Sequence, residues 1–149
     1  FAAKLLIPCL AELNAALPGV ELRTVATEAL SDFERDQVDI AVRLTRPPFP
    51  SGLDAELLFH QELVAVASPH LIKELPLALD AALAGQGVAL ACRAFVAGDL
   101  KDGRLVQVTH ETIIKEPSYF LVRKRSSLPH APRDAVWDWC VARLSVRVD

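Results

Sequence analysis

Helical and strand-like hydrophobic patterns alternate along almost all of this 149-residue chain. Leucines recur at helical spacing over 1–17, and a second helical stripe over 132–144 closes the chain. Between them, 39–44 and 56–68 are apolar runs of strand length. The remaining predicted elements are strands at 20–25, 88–96, 104–109 and 118–124 and helices at 29–38 and 77–87. This order predicts an α/β fold with mostly parallel strand pairing.

Charge and composition exclude several classes of protein. The net charge is -3 and the sequence pI is about 5.8, which argues against a duplex-DNA surface on this segment. Uncharged apolar runs reach only about ten residues, half of the ~20 that a membrane helix needs. Cys9, Cys92 and Cys140 are far apart and lack CxxC spacing. Their pattern predicts buried thiols in a reducing compartment, rather than a disulfide framework or a zinc site.

Ligand binding is favoured over catalysis. The sequence has no nucleophile elbow, phosphate loop, dinucleotide-binding motif or zinc-protease motif, and its four scattered histidines are typical of ordinary surface or structural positions. Open α/β sheets bind ligands at the carboxyl ends of strands and near helix N-termini. Phe1 and Ala2 begin the first helix, Thr27 precedes the second, and Arg43 ends a strand. A plain helix cap is an equally open role for Thr27, as is a surface ion pair for Arg43.

Four segments stand out by their order along the chain: FAAKLLIPCLAELNAALPGVELR, DIAVR, LVAVASP and AALAGQGVALA. Together they resemble the effector-binding domain of LysR-type transcriptional regulators, and most of all the branch that contains the glycine-cleavage activator and the β-lactamase regulator. The resemblance covers almost the whole chain. Its strength lies in the order of the segments rather than in one motif.

This resemblance implies an α/β, two-lobed fold like that of the type II periplasmic binding proteins. In that fold a small molecule binds between two lobes that are joined by two crossover strands. On this sequence the first lobe comprises 1–66 and 120–149, and the second comprises 67–119. The crossovers fall at 63–68 and 118–123, where the sequence is most apolar and buried strands are expected.

The chain departs from the family pattern in two places. Family members carry a strand and a ligand-binding Ser or Thr just before the residue that matches Phe1, preceded by a winged helix-turn-helix DNA-binding domain. This sequence shows none of them and contains no Met, so we expect it to be a fragment of a longer protein. Between Pro69 and Leu77 the family has a few dozen further residues, so a segment near 76/77 is either omitted or deleted, and we favour omission.

The resemblance also implies where a ligand binds. No catalytic residue, metal or cofactor is expected. Tyr119 suits the role on chemical grounds because it combines apolar area with a hydroxyl, although a core position is equally open. The ligand contacts implied by the family pattern are Phe1, Ala2, Thr27, Arg43, Thr45, Ser68 and Tyr119.

The hypothesis is therefore the small-molecule-sensing domain of a bacterial, cytoplasmic transcription regulator that catalyses no reaction. A polar or anionic effector is expected to shift the arrangement of the lobes within a homodimer or homotetramer. DNA is expected to bind to the absent N-terminal domain. Two alternatives stay open: a secreted solute-binding protein of a transporter, and an enzyme on the same fold, which would need acid–base or nucleophilic groups in the cleft.

Overall fold

A computed structural model describes residues 1–27, 29, 32–70, 87–126 and 128–145. The chain divides into two compact units: unit 1 comprises 1–60 and 116–149, and unit 2 comprises 61–115. Two long strands, β2 (Leu53–Ala67) and β4 (Val106–Lys124), each contribute residues to both units.

Unit 1 opens with the predicted helix. A π-helical segment, Ala2–Leu6, continues as α1 (Ile7–Ala16). Pro8 lies in the first turn of α1, where the π-helical segment passes into the α-helix, and it has no N–H to donate to a carbonyl of the preceding turn. Gly19 then adopts a φ of 90°, which glycine reaches without a steric penalty, so the chain turns away from the helix as predicted.

The edge strand of unit 1 is β1 (Ile40–Thr45), which pairs antiparallel with the last part of β4. Ile40 lies opposite Arg123, and Thr45 lies opposite Ser118. The expectation of parallel pairing is wrong for this strand. The apolar run favours burial, although no residue of this edge strand is fully buried, and an apolar pattern does not fix the direction of the neighbouring strand.

The last helix of unit 1 is α3 (Ala131–Leu144). It begins after His130, whose Nδ1 accepts a hydrogen bond from the Arg133 N–H at 3.2 Å. Its buried face consists of Trp137, Cys140 and Leu144. Other deeply buried side chains of unit 1 are Leu13, Leu58, Phe59, Leu121 and Val122.

Unit 2 contains the second part of β2, β3 (Val88–Cys92), α2 (Arg93–Lys101) and the first part of β4. Here β2 pairs antiparallel with β3, with Leu63 opposite Cys92. Val64 and Val66 of β2 pack with Val96 of α2 in a small apolar core. The hydrogen-bonded strand order is β1-β4-β2-β3.

Several predicted elements differ from the structure. Residues 20–25 form no strand, and 32–38 form turns rather than a helix. The strand predicted over 88–96 ends at Cys92, where α2 begins. The strands predicted at 104–109 and 118–124 are parts of one strand, β4. The junction near 76/77 and nearly all of the helix predicted over 77–87 lie outside the described residues.

Candidate functional site

Three aromatic rings meet at one end of the unit 1 sheet. Phe59 of β2 and Tyr119 of β4 stack with ring centroids 4.8 Å apart and planes inclined by 29°. Phe1, at the start of the first helix, stacks on both, at 6.3 Å from Phe59 and 6.1 Å from Tyr119. Phe59 is buried, whereas Phe1 and Tyr119 are half-buried. This set, the aromatic group, therefore combines one buried ring, that of Phe59, with two partly accessible rings.

Three polar side chains form a row across neighbouring strands at the same end. Thr45 of β1 lies directly opposite Ser118 of β4. On the other side of β4, the Nδ1 of His60 on β2 lies 3.0 Å from the Ser118 Oγ. Ser118 is 3% exposed, Thr45 is half-buried and His60 is exposed. This set, the polar row, therefore has a buried hydroxyl at its centre and more accessible groups on either side.

The aromatic group and the polar row lie on opposite faces of the sheet. Successive side chains of a strand alternate between faces, and directly opposed residues of an antiparallel pair share one. Thr45 and Ser118 therefore share one face, and the neighbouring Tyr119, which lies opposite Leu44, occupies the other. Both sets belong to the end of unit 1 where β1 stops and where β2 and β4 continue into unit 2. We call the two sets together the strand-end site.

Arg43 lies on the same face as the polar row, two residues before Thr45 on β1. It is half-buried, and its guanidinium carbon lies 4.8 Å from the centre of the Phe33 ring. The distance is typical of a cation–π contact. Opposite Arg43 on β4 is Phe120, whose ring meets Phe49 edge-on at 4.9 Å. Arg43 thus provides a cation on this face, held against an aromatic surface.

The remaining predicted ligand contacts make local interactions. The Thr27 Oγ1 accepts a hydrogen bond from the Ala29 N–H at 3.1 Å, in an exposed segment. The Ser68 Oγ accepts one from the His70 N–H at 3.3 Å, and Ser68 belongs to unit 2. Ala2 is half-buried at the start of the π-helical segment. Of the seven predicted positions, the structure brings Phe1 and Tyr119 into contact, and it places Thr45 and Arg43 on the face behind them.

Sequence reasoning missed Phe59, His60 and Ser118 as members of the strand-end site. Phe59 and His60 lie within the apolar run 56–68, and Ser118 begins the predicted crossover 118–123 beside the predicted contact Tyr119. What the sequence could not supply is the register, because a shift of one residue moves every side chain to the other face.

A cavity of about 250 Å³ lies at the opposite end of the unit 1 sheet. Among its lining side chains are Lys124, Arg125 and Arg133. Each of these cations already has an acidic partner, since Lys124 pairs with Glu34, Arg125 with Asp54 and Arg133 with Asp134. Its charge is therefore largely balanced, and we regard the strand-end site as the better candidate for binding an effector. The other lining residues are Phe33, Val38, Asp39 and Ser126.

A metal site needs a cluster of ligating side chains, and a membrane span needs a long apolar helix. Within the ranges given above, no three His, Cys, Asp or Glu side chains are grouped so as to hold a metal ion. Within the same ranges, no helix combines the length and the apolar character needed to cross a membrane.

Comparison with known proteins identifies similar sequences. A profile of the LysR substrate binding domain matches residues 1–81. The glycine cleavage system transcriptional activator of Escherichia coli K12 is 26% identical over 191 aligned positions, which cover 97% of this chain and 62% of that protein. The chain therefore spans less than two thirds of the length of this relative. Because the alignment is longer than the chain, the relative contains stretches without a counterpart here.

Solved structures resemble this one over nearly its whole length. The AmpR effector binding domain of Citrobacter freundii superposes with a TM-score of 0.69 at 19% identity, covering 97% of this chain and 93% of that one. The effector domain of Pseudomonas aeruginosa AmpR superposes with a TM-score of 0.69 at 22% identity, covering 97% of this chain and 90% of that one. CrgA, a LysR-type transcriptional regulator of Neisseria meningitidis, superposes with a TM-score of 0.69 at 21% identity, covering 97% of this chain and 65% of that one. At these identities the likeness shows the fold, and it confirms the predicted α/β fold of the type II periplasmic-binding-protein kind.

Proposed function

Because this chain belongs to the LysR substrate binding domain family, whose profile matches more than half of it, we propose that it senses a small effector for a LysR-type transcriptional regulator. The family resemblance predicted from the sequence is thereby confirmed. The observation that carries the functional proposal is the strand-end site. Half-buried rings lie on one face of this end of the sheet, and hydroxyls and an exposed imidazole lie on the other, so both the apolar and the polar groups that small-molecule sites use are present.

The position of the strand-end site suggests how binding is transmitted. His60 and Phe59 lie on β2, and Ser118 and Tyr119 lie on β4, within a few residues of the points where these strands pass between the units. An effector that contacts them acts directly on both connections. It shifts the protein toward one arrangement only by the difference between its affinities for the two arrangements.

The wider role belongs to the proposal as well. We take units 1 and 2 as counterparts of the two predicted lobes. The relative from E. coli is named as a transcriptional activator, which favours a regulator over a solute-binding protein and over an enzyme. Under this proposal the full protein acts in the bacterial cytoplasm, binds DNA through a separate N-terminal domain, and works as a homodimer or homotetramer.

A thermal-shift screen tests effector sensing. The chain is melted with amino acids, small mono- and dicarboxylates, nucleobases and sugars at millimolar concentration. A ligand at about 100 times its Kd is expected to raise Tm by roughly 5 to 10 °C. Thr45→Val should weaken that shift, whereas Thr109→Val, an exposed threonine of β4 in unit 2, should leave it unchanged. A chain that no compound stabilises would contradict the proposal.

A further inference from the structure

His60 differs from an ordinary surface histidine because a buried group holds one of its ring nitrogens. Its Nδ1 lies 3.0 Å from the Oγ of Ser118, and Ser118 is 3% exposed. His60 itself is exposed. The imidazole is thus fixed on its inner side, and its Nε2, across the ring from Nδ1, is the nitrogen left for a ligand.

The hydrogen bond to Ser118 also influences what Nε2 offers. A neutral imidazole carries one proton, so an Nδ1 that accepts the Ser118 hydroxyl proton leaves Nε2 as a donor. In protonated histidine both nitrogens donate, and Nε2 is a donor again. In the other neutral tautomer Nδ1 donates to the Ser118 Oγ and Nε2 is an acceptor, so a bound carboxylate selects the states in which Nε2 carries a proton.

The polar row places a second donor on the same face. Thr45 lies opposite Ser118, so it is two strands away from His60, or about 10 Å at the usual strand spacing. Arg43 adds a positive charge to this face of β1. A negatively charged oxygen satisfies the donors of His60 and Thr45 better than a neutral acceptor does, because hydrogen bonds in which one partner is charged are shorter and stronger.

We propose that His60, positioned by Ser118, is an effector-binding residue, and that the group it recognises is a carboxylate. This inference rests on the proposed function and makes it more specific. His60 donates from Nε2 to one carboxylate oxygen. The hydroxyl of Ser118 holds the ring in the orientation that makes this donation possible.

Matched acids and amides test the carboxylate. Isothermal titration of the chain uses succinate and benzoate as probes, with succinamide and benzamide as their neutral counterparts. The acid of at least one pair is expected to bind at least about tenfold more tightly than its amide, because the amide forfeits a hydrogen bond to a charged group. Equal binding of acid and amide would overturn the carboxylate assignment. The same conclusion follows if no acid binds while another compound from the thermal-shift screen does, and effector sensing would then still stand.

Variants test His60 separately. His60→Leu should weaken binding of the acid at least about tenfold, whereas His60→Gln, whose amide nitrogen reaches the position of Nε2, should recover most of it. His110→Leu, an exposed histidine of β4 in unit 2, should bind like the wild type. A His60→Leu protein that binds the acid as tightly as the wild type would overturn the role of His60.

A spectroscopic measurement separates ligand contact from a merely structural role. In the wild type, the acid should shift the ¹⁵N resonance of the His60 Nε2, and Ser118→Ala should reduce both this shift and the affinity. An unchanged Nε2 resonance at saturating acid would overturn the contact, even if His60→Leu proved too unstable to study. If no compound of any class binds, the proposed function falls together with this inference.

Discussion

Thr45 and Tyr119 lie on opposite faces of the same sheet, although the family pattern assigns both of them to one ligand. Thr45 shares a face with Ser118, and Tyr119 shares the other with Leu44. A single effector touches both residues only by passing around the end of β1, because β2 and β4 continue into unit 2. The half-buried rings of the aromatic group and the exposed His60 both belong to this end of unit 1. The strand-end site is therefore two chemically different surfaces that meet at one edge.

The first prediction concerns the aromatic group. Tyr119→Ala removes a ring that stacks on Phe59 at 4.8 Å and on Phe1 at 6.1 Å, and it opens space beside the buried Phe59. The free energy of unfolding should fall by about 2 to 4 kcal/mol. Tyr119→Phe keeps the stacked ring, so its free energy of unfolding should fall much less. Urea unfolding followed by circular dichroism measures both, and equal losses in the two variants would show that the rings do not hold this region.

The second prediction concerns Arg123 of β4. Its guanidinium carbon lies 4.4 Å from the centre of the Trp137 ring, and its Nη1 donates to Asp134 at 2.9 Å, in a side chain that is 22% exposed. Arg123→Met should lower the free energy of unfolding by about 1 to 3 kcal/mol, because the ion pair and the cation–π contact are both partly buried.

The control for Arg123 is Arg104→Met in unit 2. Arg104 pairs with Asp99 and Asp102, and its side chain is 64% exposed. Solvent screens such pairs, so the loss should be much smaller than that of Arg123→Met. Tryptophan fluorescence during urea unfolding follows both variants. Equal decreases in the free energy of unfolding would show that partial burial does not strengthen the contacts of Arg123.

The third prediction concerns alkaline pH. Burial raises the pKa of the Cys140 thiol to about 11, above the ordinary value near 9. Between about pH 9 and 11 the folded protein therefore keeps the thiol proton that the unfolded chain loses. The free energy of unfolding should therefore be unaffected by this thiol below about pH 8 and should decline as pH rises from about 9 to 11. Cys140→Ala should remove part of that decline and Cys9→Ala should not, as measured by urea unfolding at each pH.

The fourth prediction concerns acid. The hydrogen bond from Arg125, 2.8 Å from Nε to Oδ1, holds the pKa of Asp54 below its ordinary value near 4. The folded protein therefore binds this proton less readily than the unfolded chain does. The stabilisation is fully present above about pH 5 and is lost as pH falls through the folded pKa. Asp54→Asn should make acid unfolding shallower below pH 4, and an unchanged acid profile would contradict the role of this pair.

Much of the architecture follows from local patterns. The first helix, the strand at Ile40–Thr45, the long run ending at Ala67 and the closing helix lie where hydrophobic spacing predicts them. Strand direction does not follow, because an apolar run favours burial and carries no information on whether the neighbouring strand is parallel or antiparallel. The segment 20–25 has strand alternation and still forms no strand, since a strand exists only with a partner in register.

The candidate site was less predictable than the fold. Phe1 and Tyr119 were predicted as ligand contacts through the family pattern, and only the tertiary structure brings their rings together. His60 had no local motif to distinguish it from the other histidines. Its importance depends on Ser118, 58 positions further along the chain, which only the packing of β2 beside β4 brings within 3.0 Å. Long-range pairs of this kind leave no spacing signal in a single sequence.

The most direct test of the central claim is to read the coding sequence upstream of Phe1 in the gene. A sensor for a LysR-type regulator predicts a winged helix-turn-helix domain of about 90 residues, joined to this segment in the same reading frame. A secretory signal peptide leading directly into the segment would contradict the account, because the same fold would then belong to an exported solute-binding protein.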